Sequence, residues 1–330
     1  MEKSRLIPAK MRYICHASSK FQNKYTDTPA PMGTQVLIKV HAFGVNRADI
    51  LQRQGKYPPP QGDSEILGLE ASGVVVKVAD RALEHLLGKD VFCLTSGGAY
   101  AEYVVAEAAL LIPVPSGMCH SYSAGLAEIY LTAFDALIRV GQLKADDVLL
   151  CHGGASGVGS AAIRIAKHIG ATVVTTQSSE EKAQYAISLG ADHTINYSES
   201  DFAEEMKRRN LKANVILDPV AGDYLKANLK VAAMDCRCIL LAMLGGRYAE
   251  LDFAKVLAKR FNLHGSTLRN RSIAYKTELV ASFTSMFSSR LAEPEMQIPI
   301  YKILHWDDIE QAHELLEQNL NRGKVVVRVC

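Results

Sequence analysis

The stretch Gly153-Gly-Ala-Ser-Gly-Val-Gly159 decides the fold of this 330-residue chain. It follows the short apolar run Asp147–Cys151, which is typical of a buried strand. A helix is predicted from about Gly157 to Ile169, and Gly170 is expected to end it. Along this helix, apolar side chains recur at helical spacing and predict one stripe that faces a sheet: Val158, Ala161, Ala162, Ile165, Ala166 and Ile169. The sequence therefore predicts a strand, a glycine-rich turn and a helix in direct succession.

Strands and helices alternate beyond this turn, and this alternation is typical of a parallel sheet covered on both faces. The chain before the turn consists of short β-rich runs separated by Pro and Gly clusters, so we expect a β-rich first domain. We predict a Rossmann-type, doubly wound α/β domain over 128–268 and a β-rich domain formed by 1–127 together with 269–330. The predicted elements are strands Gln35–Val40, Gly73–Val78, Ala101–Val105, Ala171–Thr176, Val215–Asp218, Cys238–Met243 and Lys324–Val329, and helices Glu180–Leu189, Tyr275–Leu291 and Trp306–Asn319.

Composition excludes several classes of protein. At 48% hydrophobic and 22% charged residues the chain is of ordinary globular composition. Its 37 Lys+Arg against 35 Asp+Glu offer no broad positive field, so nucleic acid is not expected as the primary partner. The apolar runs are far shorter than the ~20 residues of a membrane span. Seven scattered cysteines predict reduced thiols and a cytoplasmic location, and we expect the first ten residues to be unstructured.

The glycine-rich turn predicts a site for the pyrophosphate of a dinucleotide. Glycines let the backbone approach a phosphate closely, and the helix that follows presents unpaired N–H groups and the positive end of its dipole. The alternative is a tight turn with no ligand. Ser156 departs from a strict G-x-G-x-x-G pattern, but its small side chain is expected to be tolerated. The residues predicted to line this site are Gly154, Ala155, Ser156, Gly157, Val158 and Gly159.

The end of the second predicted strand favours NADPH over NADH. An acidic residue there would bind a free ribose and repel a 2′-phosphate. The acids come later, as Glu180 and Glu181 at the start of a helix, where the helix dipole favours them. Ser178, Ser179 and Lys182 are instead expected to surround the phosphate, although Lys182 alone is also compatible with a solvated helix surface.

Two stretches of the β-rich domain indicate a known family: Val45–Pro60 and Gly68-Leu-Glu-Ala-Ser-Gly73. Together with the glycine-rich turn they resemble the zinc-free quinone oxidoreductase branch of the medium-chain dehydrogenase/reductase superfamily, over almost the whole chain. The resemblance implies a GroES-like β-rich domain, NADPH-dependent reduction of a small quinone without zinc, and a homodimer joined through the Rossmann sheets. It also implies further cofactor-binding residues: Asn46, Thr132, Tyr197, Met243, Leu244, Gly245, Gly246, Ser266, Thr267, Leu268 and Asn319.

The same resemblance indicates which residues of this chain would have to bind a catalytic zinc ion. The positions that match the Cys, His and Cys ligands of zinc alcohol dehydrogenases are Asn46, Leu69 and Glu128. Leucine cannot ligate a metal and asparagine is a poor ligand for Zn²⁺, so we expect no catalytic zinc. Cys236 and Cys238 are expected on one face of a strand as small buried hydrophobic residues.

Without zinc, another group must stabilise the negative oxygen that forms when hydride reaches the substrate. Tyr57 is our candidate, since a phenol can donate a hydrogen bond or a proton there; the alternative is an aromatic residue at the rim of a Pro-rich loop. Asn46 is expected to orient the substrate or the nicotinamide ribose. Arg47, Asp49 and Arg53 fit either a structural ion-pair cluster or a site, and Glu70 fits a buried structural carboxylate.

Two other functions are left open by the sequence. One is an NADPH-dependent reductase of activated double bonds, such as an enone, an alkenal or an enoyl thioester. It ranks second because we expect no basic cluster near Tyr57 beyond Arg47, Arg53 and Lys56. The other is an NADPH-binding structural or regulatory protein with little turnover.

Overall fold

The computed structural model describes residues 7–17 and 20–329. Its strands are β1 (Lys10–Ala17), β2 (Lys20–Asp27), β3 (Gln35–Val45), β4 (Glu70–Val78), β5 (Asp90–Leu94), β6 (Tyr103–Glu107), β7 (Leu111–Pro113), β8 (Val148–His152), β9 (Thr172–Gln177), β10 (His193–Asn196), β11 (Ala213–Asp218), β12 (Ala232–Leu240), β13 (Asn262–Gly265), β14 (Ile300–His305) and β15 (Lys324–Arg328). Its α-helices are α1 (Arg47–Arg53), α2 (His120–Ser123), α3 (Ala127–Phe134), α4 (Gly157–Ile169), α5 (Glu180–Ser188), α6 (Phe202–Arg208), α7 (Tyr224–Val231), α8 (Phe253–Lys259), α9 (Ile273–Phe287) and α10 (Ile309–Glu317).

The chain divides into two compact units. The parallel-sheet unit comprises Ile129–Leu268 and the short segment Glu293–Pro299. The β-rich unit comprises Met1–Glu128, Arg269–Ala292 and Ile300–Cys330. The C-terminal part of the chain thus completes the unit that its N-terminal part begins.

The parallel-sheet unit contains strands in the order β10-β9-β8-β11-β12-β13, and all neighbouring pairs are parallel. The chain starts at the interior strand β8, moves outward through β9 and β10, and then returns to build β11, β12 and β13 on the other side. This is the doubly wound sheet that the sequence predicts. Because the strands are parallel, the turns after β8, β9, β12 and β13 all leave the same edge of the sheet, where ligands bind in such folds.

Helix α4 has the bounds that the sequence predicts, and Gly170 ends it with a left-handed φ of 93°. The predicted stripe faces the protein interior, since Ala161, Ala162, Ile165 and Ala166 are fully buried. Full burial of a side chain such as Ile165 stabilises the fold by about 1.5–3 kcal/mol. The local pattern and the packing therefore agree at the element that follows the glycine turn.

Strand β12 shows where the sequence-based prediction is wrong. The apolar run suggests a strand over Cys238–Met243, whereas β12 ends at Leu240. Met243 and Leu244 lie beyond it and are 58% and 59% exposed. The strand instead begins earlier, at Ala232, and Cys236 and Cys238 are both fully buried in it, as expected.

The β-rich unit is built around β3. Its sheet has the order β14-β15-β3-β4-β5-β7, and β6 also pairs with β3. All pairs are antiparallel except β14 with β15. Phe43 and Tyr100 stack in the core with ring centroids 4.3 Å apart, and Trp306 packs edge-on against Phe43.

The first ten residues are only partly open to comparison, because residues 1–6 lie outside the described part of the chain. The prediction of an unstructured tail is wrong for Lys10, which begins β1. The carbonyl groups of Pro8 and Ala9 accept hydrogen bonds from Thr28, at 2.7 and 2.9 Å. No helix within residues 7–17 and 20–329 is long and apolar enough to cross a membrane.

A series of hydrogen-bonded polar groups lies in the core of the β-rich unit. The Asp49 carboxylate accepts hydrogen bonds from the Asn46 backbone at 2.8 Å and from the Tyr100 hydroxyl at 3.2 Å. The Tyr100 hydroxyl also lies 3.0 Å from His313 Nε2. Burial raises the pKa of Asp49 to about 6 and lowers the pKa of His313 to about 3. The contributions of the two groups to the free energy of unfolding therefore change in opposite directions as the pH changes.

We expect Asp49→Asn and His313→Gln to tilt the pH profile of unfolding free energy in opposite ways. Neutral His313 stabilises the fold fully above pH 6.5, and this contribution falls as the pH drops toward 3 because only the unfolded chain takes up the proton. The Asp49 contribution is greatest below pH 3.8 and falls as the pH rises through 6.

Relative to the wild type, His313→Gln should therefore gain stability and Asp49→Asn should lose it as the pH falls from 6.5 to 4, by up to about 1.4 kcal/mol per pH unit. Urea unfolding at a series of pH values measures this. Parallel profiles for the three proteins would contradict the assignment.

Candidate dinucleotide site and substrate-side cluster

The turn between β8 and α4 brings backbone atoms unusually close together. Gly153 has a φ of +69°, a region that favours glycine. A Cβ on Gly154 would lie 2.6 Å from Thr175 Cβ on the neighbouring strand. A Cβ on Gly159 would lie 2.3 Å from the Gly153 carbonyl oxygen. No larger residue fits at Gly154 or Gly159 without moving the turn.

The N-terminus of α4 opens onto this turn. Ser156 caps the helix, and its Oγ accepts a hydrogen bond from the Gly159 backbone at 3.0 Å. Ser156 is exposed, so its departure from the glycine pattern blocks nothing. The first backbone N–H groups of this 13-residue helix and its dipole suit an anion such as a pyrophosphate. The residues present thus fit a dinucleotide.

The ends of β9 and β10 lie side by side. Asn196 pairs with Gln177, and the Tyr197 backbone donates to the Gln177 carbonyl at 3.0 Å. Ser179 caps α5 by accepting from the Lys182 backbone at 3.3 Å. The structure therefore brings Ser178, Ser179, Lys182 and Tyr197 to one edge of the sheet, next to the glycine turn.

Two further loops leave the same edge. Gly245 and Leu244 donate backbone hydrogen bonds to Val220 and Pro219, at 2.7 and 3.2 Å, and these bonds hold the loop that contains Met243–Gly246. Ser266 follows β13, and its Oγ donates to buried Asp135 at 3.1 Å. Asp135 begins a π-helical turn directly after α3, which carries Thr132. Thr267 and Leu268 continue from Ser266.

Sequence reasoning missed a buried network that ties these turns together. His152 ends β8, and its ring lies 2.9 Å from Thr176 Oγ1 and 2.7 Å from Asn228 Oδ1. Asn228 donates to Asp218 at 2.8 Å, and the other oxygen of Asp218 accepts from the backbone of the turn after β11. Burial lowers the pKa of His152, so the ring is neutral. The polar residue directly before the first glycine was the available signal.

In the β-rich unit, Tyr57 lies against a buried arginine. The Arg269 guanidinium is 5.4 Å from the Tyr57 ring centroid and donates to the carbonyls of Tyr57 and Ser96. Lys276 donates to the Arg269 carbonyl at 2.8 Å, and both cations are almost fully buried. Burial, with the negative charge of Glu128, raises the pKa of Tyr57. The expectation that no further basic group adjoins Tyr57 is therefore wrong.

Arg47, Asp49 and Arg53 do not form an ion-pair cluster with one another. Arg47 donates to the carbonyl of Leu316, and Arg53 pairs with Glu317 at 2.5 Å. Both arginines thus bind the end of α10, whereas Asp49 belongs to the core network. Asn319 follows that helix with a left-handed φ of 54°.

The positions that match zinc ligands surround one buried carboxylate. Glu70 Oε1 lies 2.7 Å from Lys324 Nζ and accepts from Asn46 Nδ2 at 3.0 Å, and Glu70 Oε2 accepts from the Glu128 backbone at 2.9 Å. The Asn46 amide oxygen accepts from Lys324. Leu69 contributes only hydrocarbon. An ammonium group already neutralises this carboxylate, and no thiolate or imidazole stands at these positions, so the donor set does not fit Zn²⁺.

Comparison with known proteins agrees with both units. Residues 157–285 match the family described as zinc-binding dehydrogenase, and residues 32–116 match the alcohol dehydrogenase GroES-like domain. Quinone oxidoreductase of Rattus norvegicus is 30% identical over 303 residues, which cover 91% of this chain and 90% of that protein. Its counterpart in Mus musculus is 27% identical over 305 residues, with the same two coverages.

A solved structure of a mycobacterial protein in complex with NADPH superposes with a TM-score of 0.85. It is 26% identical and covers 96% of this chain and 99% of that chain. The chain therefore belongs to the medium-chain dehydrogenase/reductase superfamily. Within that superfamily, the relatives described above include two mammalian quinone oxidoreductases, and the resemblance to the superfamily seen in the sequence is confirmed.

We expect Gly159→Ala to lower the affinity for a reduced nicotinamide dinucleotide at least tenfold, because the new methyl group collides with the Gly153 carbonyl and displaces the turn. Fluorescence titration measures the affinity. Gly33→Ala is the control: it makes the same substitution at a glycine of the β-rich unit, where the new Cβ would meet nothing within 4 Å. Equal affinities in both variants would contradict the role of the turn.

Proposed function

We propose that this protein is a zinc-independent NADPH:quinone oxidoreductase. The observation that carries the proposal is the glycine turn at the N-terminus of α4, where a Cβ at Gly154 or Gly159 would collide with neighbouring atoms and where the first N–H groups of the helix suit a pyrophosphate. Bound NADPH supplies the hydride, and the protein orients it and excludes water. The relatives named quinone oxidoreductase support a quinone as the acceptor.

The proposal of NADPH rather than NADH rests on the residues at the carboxyl ends of β9 and β10, beside the glycine turn. No carboxylate ends β9, and we assign Ser178, Ser179, Lys182 and Tyr197 to the binding of the 2′-phosphate. A cation near a phosphate at ~4 Å and an effective dielectric of ~20 contributes about 4 kcal/mol before desolvation. The NADPH complex of the mycobacterial relative supports the same choice.

Tyr57 and Asn46 serve the reaction in different ways. The raised pKa of Tyr57 keeps its phenol protonated, as a hydrogen-bond donor to the developing oxyanion must be. Arg269 fixes the Tyr57 backbone and ring. Asn46 is almost fully buried and held by Glu70 and Lys324, so we assign it the positioning of substrate or ribose through its remaining N–H.

We further propose a homodimer that forms through β13, the outermost strand on one side of the parallel sheet. An open edge strand offers unpaired backbone groups to a second copy. Leu263 on β13 is 44% exposed, and the nearby Phe253 and Leu257 on α8 are 73% and 78% exposed. Because the six cysteines of the described residues are unpaired, we also propose a cytoplasmic location.

The second candidate is a reductase of activated double bonds, and the buried pair Arg269 and Lys276 favours it. Lys276 uses one of its N–H groups on the Arg269 carbonyl, so others remain for an anionic substrate such as an enoyl thioester. A hydroquinone anion is stabilised by its own ring, whereas an enolate needs a stronger donor. The response of the two reactions to loss of the Tyr57 hydroxyl therefore differs.

We expect rapid NADPH oxidation with ortho- and para-quinones, slow oxidation with an enone, and no loss of activity after dialysis against a chelator. Tyr57→Phe should lower kcat less than about tenfold with a quinone and about 100-fold with an enone, since one oxyanion donor is worth roughly 100-fold. Tyr25→Phe, on exposed β2, is the matched control.

Turnover with the enone alone would favour the second candidate. Tight NADPH binding without turnover on any substrate would favour a binding protein. Activity that is lost on chelation and restored by Zn²⁺ would contradict the metal-free mechanism.

We expect light scattering to give twice the 36.0 kDa chain mass for the wild type and the single chain mass for Leu263→Glu. Ile303→Glu is the matched control, because Ile303 is 43% exposed on β14, an edge strand of the seven-stranded sheet in the β-rich unit. Dimers that persist in Leu263→Glu would exclude the β13 edge.

A further inference from the structure

We propose that Gln177 is a specificity-determining residue whose side-chain amide donates an N–H to the 2′-phosphate of NADPH. The inference rests on the proposed use of NADPH and assigns a role to a residue that sequence reasoning did not single out. It is carried by an unpartnered polar atom at the edge of the glycine turn.

The Gln177 side chain is buried, with 2% of its surface exposed. Its Nε2 is a buried atom with no hydrogen-bond partner in the protein. Such groups are rare in folded proteins, because removing an N–H donor from water without a replacement partner is costly. A bound ligand that accepts from this N–H would remove the cost.

The place of Gln177 identifies that ligand. Gln177 is the last residue of β9, and its Oε1 accepts a hydrogen bond from Thr175 Oγ1 at 2.9 Å. Thr175 in turn lies against Gly154, where a Cβ would come within 2.6 Å of it. Residues two apart on a strand share one face. Gln177 therefore lies on the face of β9 that borders the glycine turn, with its oxygen satisfied and its nitrogen free.

The end of the second strand is where this fold positions the group that distinguishes the two nicotinamide cofactors. An Asp or Glu there accepts hydrogen bonds from the free ribose hydroxyls and repels a phosphate. The amide of Gln177 has the opposite character, since it is uncharged and its open atom is a donor. A phosphate dianion offers only acceptor oxygens, and a hydrogen bond to a charged acceptor is stronger than one to a hydroxyl.

Two substitutions of Gln177 test the assignment. Their effect is measured on the binding of cofactor fragments that lack the nicotinamide. Gln177→Met keeps the approximate shape of the side chain and removes the whole amide group, including the oxygen that accepts from Thr175. Gln177→Glu keeps an oxygen for Thr175, replaces the N–H donor with an acceptor and adds a negative charge. Calorimetry gives the affinities for 2′,5′-ADP and 5′-AMP, which differ only in the 2′-phosphate, and the pair NADPH and NADH is measured alongside.

In Gln177→Met we expect the preference for 2′,5′-ADP over 5′-AMP to fall about tenfold, and in Gln177→Glu about 100-fold, while the affinity for 5′-AMP stays within about threefold of the wild type. A melting curve checks that Gln177→Met is folded, because the substitution removes the acceptor of the buried Thr175 hydroxyl together with the unsatisfied N–H. Gln22→Glu, an exposed glutamine on β2, carries the same charge change as a control and should leave all affinities unchanged.

An unchanged preference in folded Gln177→Met would overturn the proposal. So would an equal loss of NADH and NADPH affinity, since that would assign the amide to a ribose hydroxyl. The wild type is measured first: if it binds neither NADPH nor 2′,5′-ADP, the proposed function fails together with the inference, whereas normal wild-type binding with an unaffected variant removes Gln177 alone.

Discussion

The close approach of the β8–α4 turn to its neighbours is the constraint on which the parallel-sheet unit depends. Gly159 and Gly154 pack so tightly against the Gly153 carbonyl and against Thr175 on β9 that an added Cβ would come within 2.3 and 2.6 Å of them. These contacts draw the N-terminus of α4 against the edge of the sheet, so its unpaired N–H groups and its dipole act at one place. The hydrogen-bonded network of His152, Asn228 and Asp218 then holds the turns after β8 and β11 in fixed positions.

The β-rich unit contains a buried carboxylate whose charge must be neutralised within the protein. Glu70 is fully buried, and its charge is balanced inside the protein by Lys324 at 2.7 Å. Removing one partner of such a pair leaves a buried charge and typically costs about 3–5 kcal/mol. The pair also fixes Asn46, and Arg269 separately fixes Tyr57. Both side chains that we assign to the reaction are therefore held by buried cations.

Local patterns explain what the sequence predicted well. The bounds of α4, the parallel sheet and the glycine turn depend on neighbours within one strand–turn–helix unit. Contacts between distant residues were out of reach: Arg269 and Tyr57 are 212 positions apart. Strand β13 has four residues and little pattern of its own. The importance of Gln177 depends on a missing partner, which only the packing of its surroundings reveals.

The most direct test of this account is a single-turnover experiment with NADPH deuterated at the transferred position of the nicotinamide. The metal-free protein is preloaded with the cofactor and mixed with a para-quinone, and the decay of nicotinamide absorbance is followed. Direct hydride transfer predicts one NADPH oxidised per chain, with a decay at least about twofold slower for the deuterated cofactor. No decay, or a decay that requires added Zn²⁺, would contradict the account.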